Sequence, residues 1–240
     1  MENAGYVGLS YQMALERKMN AIANNVANMD TTGYKSQHIQ FKEYVSQTDA
    51  EQPLSLVYDY GEYKNFGGGA VTDTGNPLDI ALVGNGFLKV RTVEGDEFYT
   101  RNGRLQIDNN NQLVTSSGET VLDQGGQAIS IPDGESNIRI TPEGTLAGKQ
   151  GPFGQIGISK FQNPQLLEPV GNSLFKSSAD PQPDPETRIQ QGALEGSNVN
   201  PIFEMTNMME VQRRYQSVAR MLQTDHDRQR DAIRKLAETR

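Results

Sequence analysis

Cysteine and tryptophan are both missing from this chain. Without cysteine there can be no disulfide framework and no thiolate metal site. Hydrophobic residues make up only 35% and aromatic residues 7%, and the mean hydropathy is −0.63. That is lean for a thick enzyme core and suits a β-rich protein with much surface. No run approaches the roughly 18 apolar residues needed to span a bilayer, so nothing membrane-spanning is expected. The first residues lack a basic segment followed by an apolar one, so no cleaved signal peptide is expected either. Gly-x-Ser-x-Gly, phosphate-loop and His-Glu-x-x-His motifs are all absent. His38 and His226 are the only histidines and both sit in polar sequence. No catalytic residue, cofactor site or metal site is expected.

What the chain does have is an uneven distribution of charge and pattern. Residues 1–35 carry three basic and three acidic side chains, and residues 201–240 carry eight and six. The remaining 36–200 hold eleven basic against twenty-one acidic residues, so the net charge of −8 belongs to the middle. Near-neutral ends allow self-association, while an acidic body argues against nucleic-acid binding, which needs a basic stripe.

Helical periodicity is confined to those ends. Leu15, Met19, Ile22, Val26 and Met29 recur at alternating steps of four and three, the spacing of a coiled-coil seam. Asn28, Asp30 and Gly33 supply exit chemistry, because Asn and Gly tolerate the left-handed backbone that ends a helix. A second helix is expected from Pro201, with Asn200 as its N-cap. It would present Met205, Met208, Tyr215, Ala219, Leu222, Ile233 and Leu236 on one face.

Between the ends the pattern is β. Leu78, Ile80 and Leu82 alternate with Asp79 and Ala81, and short apolar runs separated by turn residues continue to Phe161. Gly84-Asn85-Gly86 is expected to be a hairpin turn rather than the start of a dinucleotide fingerprint, because Lys89 stands where the third glycine is needed. Asp108–Asn111 reads as a hairpin tip; its likeness to a calcium loop fails at Leu113, where glycine is needed. Asp180-Pro-Gln-Pro-Asp-Pro185 reads as an extended linker. The expected fold class is α+β: discontinuous N- and C-terminal helices pair as a coiled coil around a central all-β, hairpin-rich domain. The expected segments are 1–35, an assembly helix; 36–75, an extended arm and Gly-rich linker; 76–185, the β domain; and 186–240, a return linker and second assembly helix.

Three segments also carry a resemblance. Ala23-Asn24-Asn25-Val26-Ala27-Asn28 leads to Thr31-Thr32-Gly33-Tyr34-Lys35. Thr74-Gly-Asn-Pro-Leu-Asp-Ile-Ala81 continues through Gly84-Asn85-Gly86-Phe87 to Tyr99-Thr-Arg-Asn-Gly103. Gly192-Ala-Leu-Glu-Gly-Ser-Asn-Val-Asn200 opens the last helix. In this order they resemble the bacterial flagellar rod and hook protein family. The resemblance implies a structural subunit of the basal-body rod that polymerises through its terminal helices and transmits torque across the periplasm. Its partners would be copies of itself, other rod subunits and the flagellar type III export apparatus, which handles substrates without a cleaved signal peptide. The length disfavours the larger hook protein and the rod proteins that lack a middle β domain; the Leu194-Glu195-Gly196-Ser197-Asn198 form resembles a proximal-rod member, with a distal-rod member as the alternative. From a different class, the alternative is a secreted adhesive or carbohydrate-acting β protein with coiled-coil ends. The candidate assembly residues are Leu15, Met19, Ile22, Asn24, Asn25, Val26, Asn28, Gly33 and Tyr34 at one end. At the other they are Asn198, Met205, Met208, Tyr215 and Leu222. The resemblance assigns Asn24, Asn25, Asn28 and Gly33 to the helix exit and neighbour contacts.

Overall fold

The computed structural model describes residues 2–46, 54–135 and 137–238. The chain divides into two compact units. One combines Met1–Ala27, Gln37–Tyr63 and Asn200–Arg240; the other combines Asn28–Ser36 and Lys64–Val199.

The first unit is built on helix α1 (Glu2–Ala27), strands β1 (Gln37–Ser46) and β2 (Leu54–Lys64), and helix α2 (Pro201–Glu238). The two strands pair with each other. The helices pack side by side and antiparallel: Asn25 reaches Glu204 at one end, and Gly8 lies against Leu222 at the other. Leu15, Ile22, Val211 and Val218 are buried between them, with Tyr11, Met19, Val26, Met208, Tyr215 and Leu222 packed around. Each fully buried aliphatic side chain contributes roughly 1.5–3 kcal/mol, which a lone helix of this length would lack. On α2 the seam runs 204, 208, 211, 215, 218, 222, again in steps of four and three. Asn200 caps α2 as expected, its Oδ1 accepting from the Phe203 amide at 3.2 Å. No helix among the described residues is long and apolar enough to cross a membrane.

The second unit is built on β-strands, with one 3₁₀ turn at Pro164–Leu166. It begins with β3 (Val71–Asp73), β4 (Ile80–Val83), β5 (Phe87–Arg91), β6 (Glu97–Thr100), β7 (Leu105–Ile107), β8 (Leu113–Thr115) and β9 (Thr120–Val121). It continues with β10 (Arg139–Ile140), β11 (Thr145–Gly148), β12 (Gly151–Gln155) and β13 (Ile158–Lys160). It closes with β14 (Glu168–Gly171), β15 (Leu174–Lys176), β16 (Gln182–Pro183), β17 (Arg188–Gln191) and β18 (Ala193–Glu195). The largest sheet runs β14-β15-β6-β5-β9-β8-β7, with β13 bridging β5 and β16. Its core is formed by Ile80, Leu88, Val90, Leu113, Val121, Leu146 and their neighbours. Phe66, Phe87, Tyr99, Phe161 and Phe175 form a second cluster of edge-on rings. The late strands return to early ones: β17 pairs with β4 and β18 with β3, both antiparallel.

The hairpin at Asp108–Asn111 is present, with Leu105–Ile107 registered on Leu113–Thr115. Two local readings need correction. Gly84–Gly86 does not turn a hairpin, because β4 pairs with β17 while β5 pairs with β6, β9 and β13. It passes the chain between sheets. Asp180–Pro185 is not a free linker, since Gln182–Pro183 pairs with Ser159 and Lys160. A proline is tolerated there because the strand is at a sheet edge, where one side of the ladder needs no amide donor.

Truncating the seam should unfold the helical unit first. Ile22→Ala is expected to cost about 2–5 kcal/mol. In urea unfolding of the full chain, the helical signal should melt earlier while the β transition keeps its midpoint.

Candidate functional site

The candidate residues are not arranged as a cleft around a reacting atom. Half of them pack in the apolar seam between the helices, and others stand at buried polar ties, one in each unit.

In the β unit the tie is a carboxylate. Glu195 ends β18, and the β3–β18 ladder pulls it inward until it is only 1% exposed. Its Oε1 accepts from Lys35 Nζ at 2.6 Å and from the Gly69 amide at 3.0 Å. Its Oε2 lies 3.3 Å from Arg101 Nε, a coulombic contact without hydrogen-bond alignment. Its backbone carbonyl accepts from the Gly33 amide at 2.8 Å. Lys35 and Arg101 are both 2% exposed, so two cations and one anion share an interior site. Burial draws the Lys35 amine below its ordinary range, and Glu195 pulls it back up in part. Arg101 is drawn the same way, with Glu195 and Asp184 opposing.

Backbone carbonyls satisfy the remaining donors. Lys35 Nζ also donates to the Gly67 carbonyl at 2.8 Å. The Arg101 guanidinium donates to the Gly86 and Gly84 carbonyls, both at 2.6 Å, and stands 5.5 Å over the Phe87 ring. This explains the Gly84–Gly86 turn: it presents carbonyls to a fixed fork. Asp184, held by the Thr187 hydroxyl at 2.6 Å, supplies the second negative charge of the neighbourhood.

Two glycines are required by this packing. Gly33 has φ +69°, and a Cβ there would sit 2.5 Å from the Arg101 carbonyl carbon. At Gly69 a Cβ would overlap the Gly196 carbonyl oxygen. Asn198 completes the junction. Its Oδ1 accepts from the Ser36 amide at 2.8 Å, and its Nδ2 donates to the Asn65 and Gly67 carbonyls at 2.7 and 3.0 Å. The Asn198 amide donates to the Tyr34 carbonyl.

In the helical unit the tie is an amide. Asn25 is fully buried; its Oδ1 accepts from the Gln37 amide at 2.9 Å, and its Nδ2 donates to the Gln37 carbonyl at 2.9 Å. The same Nδ2 reaches Glu204 Oε1 at 3.1 Å, so one side chain holds α1, β1 and α2. Asn24 is exposed and Asn28 half-buried, with Asn28 Oδ1 accepting from the Thr31 hydroxyl at 3.1 Å.

Of the candidate residues, Leu15, Met19, Ile22, Val26, Met208, Tyr215 and Leu222 meet in the seam. Met205 does not. It is 48% exposed, because it follows the seam position Glu204 by one residue, about 100° around the helix. Gly33, Tyr34 and Asn198 belong to the β unit's junction. The sequence reading missed Val211 and Val218, although the spacing from Met208 pointed to both. It quoted Lys35, Arg101 and Glu195 only as parts of motifs. Their opposite charges, one in each motif, were the available signal.

Comparison with known proteins finds three family models along the chain. Residues 6–35 match the family model for flagella basal body rod protein, residues 81–148 the flagellar hook protein FlgE/F/G D1 domain, and residues 190–235 the flagellar basal body rod FlgEFG protein C-terminal model. The flagellar basal-body rod protein FlgF of Caulobacter vibrioides is 36% identical, over 98% of both chains. FlgF of Mesorhizobium japonicum is 33% identical over 98% of both. The rod protein FlgG of Bacillus subtilis is 32% identical over 92% of this chain and 94% of its own.

Removing the shared carboxylate should be severe. Glu195→Gln strands two buried cations, an expected loss of about 3–5 kcal/mol in the β transition. Asn25→Ala leaves the Gln37 backbone and the Glu204 carboxylate without their shared partner. It should cost at least about 2 kcal/mol in the helical transition. Chemical denaturation of each full-length variant, followed by circular dichroism, checks both.

Proposed function

The chain belongs to the flagellar basal-body rod protein family, and from that membership we propose that it works as a FlgF-type rod subunit, polymerising through its terminal helices. The observation that carries the reading is the closure of the chain: segments from both ends and the middle meet at Glu195, and both end helices share one seam. Such a subunit presents its helices as a preformed pair to its neighbours. The pair acts as a coiled coil, and torque passes through its packed seam and those of adjacent copies. Residues 1–35 and 186–240 serve assembly, 76–185 form the β body, and 36–75 form the arm between them.

The proposed partners are copies of this chain, other rod subunits and the type III export apparatus, with the rod lying in the periplasm. The role is structural and needs no catalysis. The near-neutral ends and acidic middle support it, because like-charged bodies stay solvated while neutral ends associate.

A tagged full-length chain should co-sediment with detergent-extracted basal bodies, and cells lacking it should lose motility. Recovery only as a protease-accessible protein on whole cells, with motility intact, would overturn the assignment in favour of an adhesive surface protein.

A further inference from the structure

The β unit contains two Asn-Gly steps, Asn85-Gly86 and Asn102-Gly103. Such a step is chemically labile, because glycine has no side chain to shield its amide nitrogen from the neighbouring carboxamide. That nitrogen loses its proton and bonds to the asparagine Cγ; the Cγ–Nδ2 bond breaks, and ammonia leaves with the displaced proton. Water then opens the cyclic imide at either carbonyl. One opening gives aspartate; the other gives isoaspartate, whose main chain runs through Cβ and is longer by an atom. Solvent water is the only co-reactant.

Glycine cannot be exchanged at position 86. A Cβ there would fall 2.4 Å from Ile158 Cγ2 and 2.9 Å from both Asp184 Oδ2 and Thr187 Oγ1. Asn85 is exposed, so water reaches its carboxamide. The protection therefore falls on the nucleophile. The Gly86 amide donates to Thr187 Oγ1 at 2.8 Å, and the Thr187 hydroxyl donates to Asp184 Oδ2 at 2.6 Å. Thr187 and Asp184 are 3% and 8% exposed, which keeps water from competing for these bonds. The carbonyls of Gly84 and Gly86, before and after the threatened peptide, both accept from the Arg101 guanidinium at 2.6 Å. To reach Cγ, the Gly86 nitrogen must release its proton and its peptide plane must turn. Thr187 holds the proton, and the Arg101 fork holds the plane.

We propose that Asn85 is a site of spontaneous deamidation which the fold keeps closed through Thr187, and that isoaspartate formed there while the chain is open bars its return to the folded state. The second half follows from the fork. A main chain lengthened between the Gly84 and Gly86 carbonyls no longer fits one rigid guanidinium, and the buried Arg101 loses a partner. A chain kept unfolded ages at this position, and refolding separates intact chains from aged ones.

The test incubates full-length chain at mildly alkaline pH, natively and in urea, and counts isoaspartate at positions 85 and 102 by peptide mapping. In urea both steps should convert, while natively Asn85 stays intact over the same time. Native conversion of Asn85 at the urea rate overturns the proposal. Thr187→Val keeps the shape without the hydroxyl and should speed native conversion of Asn85 about tenfold, the worth of one hydrogen bond. Thr187→Ser should stay at the original rate, and equal rates in the two variants overturn the assignment to the hydroxyl. Asn102 reports general loosening. If it rises together with Asn85 in Thr187→Val, amide hydrogen exchange of the unchanged chain decides. Gly86 should exchange as slowly as the amides of β5, and exchange at the rate of exposed turns overturns the proposal. After dilution from urea, the refolded fraction should lack isoaspartate at position 85. Its presence there in the same proportion as in the whole sample overturns the second half.

Discussion

The buried Glu195 carboxylate is the interaction on which the rest of the β unit depends. Removing a carboxylate and two cations from water costs several kcal/mol per ion, and only well-placed partners offset it. Here those partners come from segments far apart in sequence: Lys35, Gly69, Arg101 and the strand that carries Glu195 itself. Each segment has a reason to be there only when the others are in place. Carbonyls from Gly67, Gly84 and Gly86 take the cations' remaining donors, and Asp184 brings the local charge close to balance. An apolar cluster of the same size would tolerate a strand shifted by one residue or a loop turned aside. A guanidinium fork pinned to two carbonyls 2.6 Å away does not.

The helical unit solves a related problem with different chemistry. Its seam of Leu15, Ile22, Val211 and Val218 supplies most of the stabilisation, but apolar seams with a seven-residue repeat tolerate slippage. Asn25 removes that freedom, because its hydrogen bonds to Gln37 and Glu204 are satisfied at one alignment only. At the other end Gly8 lets Leu222 approach α1 so closely that a Cβ would fall 2.6 Å from Leu222 Cδ2. Apolar burial holds the helices together, and one buried amide with one glycine sets where they stop.

How much of this was legible in sequence follows from which forces are local. The helices, the N-cap at Asn200 and the hairpin at Asp108–Asn111 rest on periodicity and turn chemistry, and they stood as expected. Pairings of β17 with β4 and β18 with β3 depend on tertiary closure and leave no local mark. Gly84–Gly86 and Pro183 were misread for the same reason. Two closely spaced glycines look like a hairpin turn, and alternating prolines look like a linker, until the partner strands are known. The triad was the hardest case. Lys35, Arg101 and Glu195 each look like ordinary surface charges, and only their meeting makes them interior. Met205 lies off the seam for a simpler reason: heptad counting tolerates an error of one position, and one position is about 100° of rotation.

The discontinuity of the helical unit has a consequence for how the chain folds. α1 has its seam partners between residues 204 and 222, so its apolar face has nothing to pack against until almost the whole chain is present. Lys35 and Arg101 likewise wait for Glu195 before they can leave water. Contacts of such sequence separation close late, because the loop entropy must be met before they return any stabilisation. A chain whose two decisive ties both need its last quarter stays loosely structured while that quarter is absent. Completion of the chain is then the event that locks the helices and the β unit's junction into place.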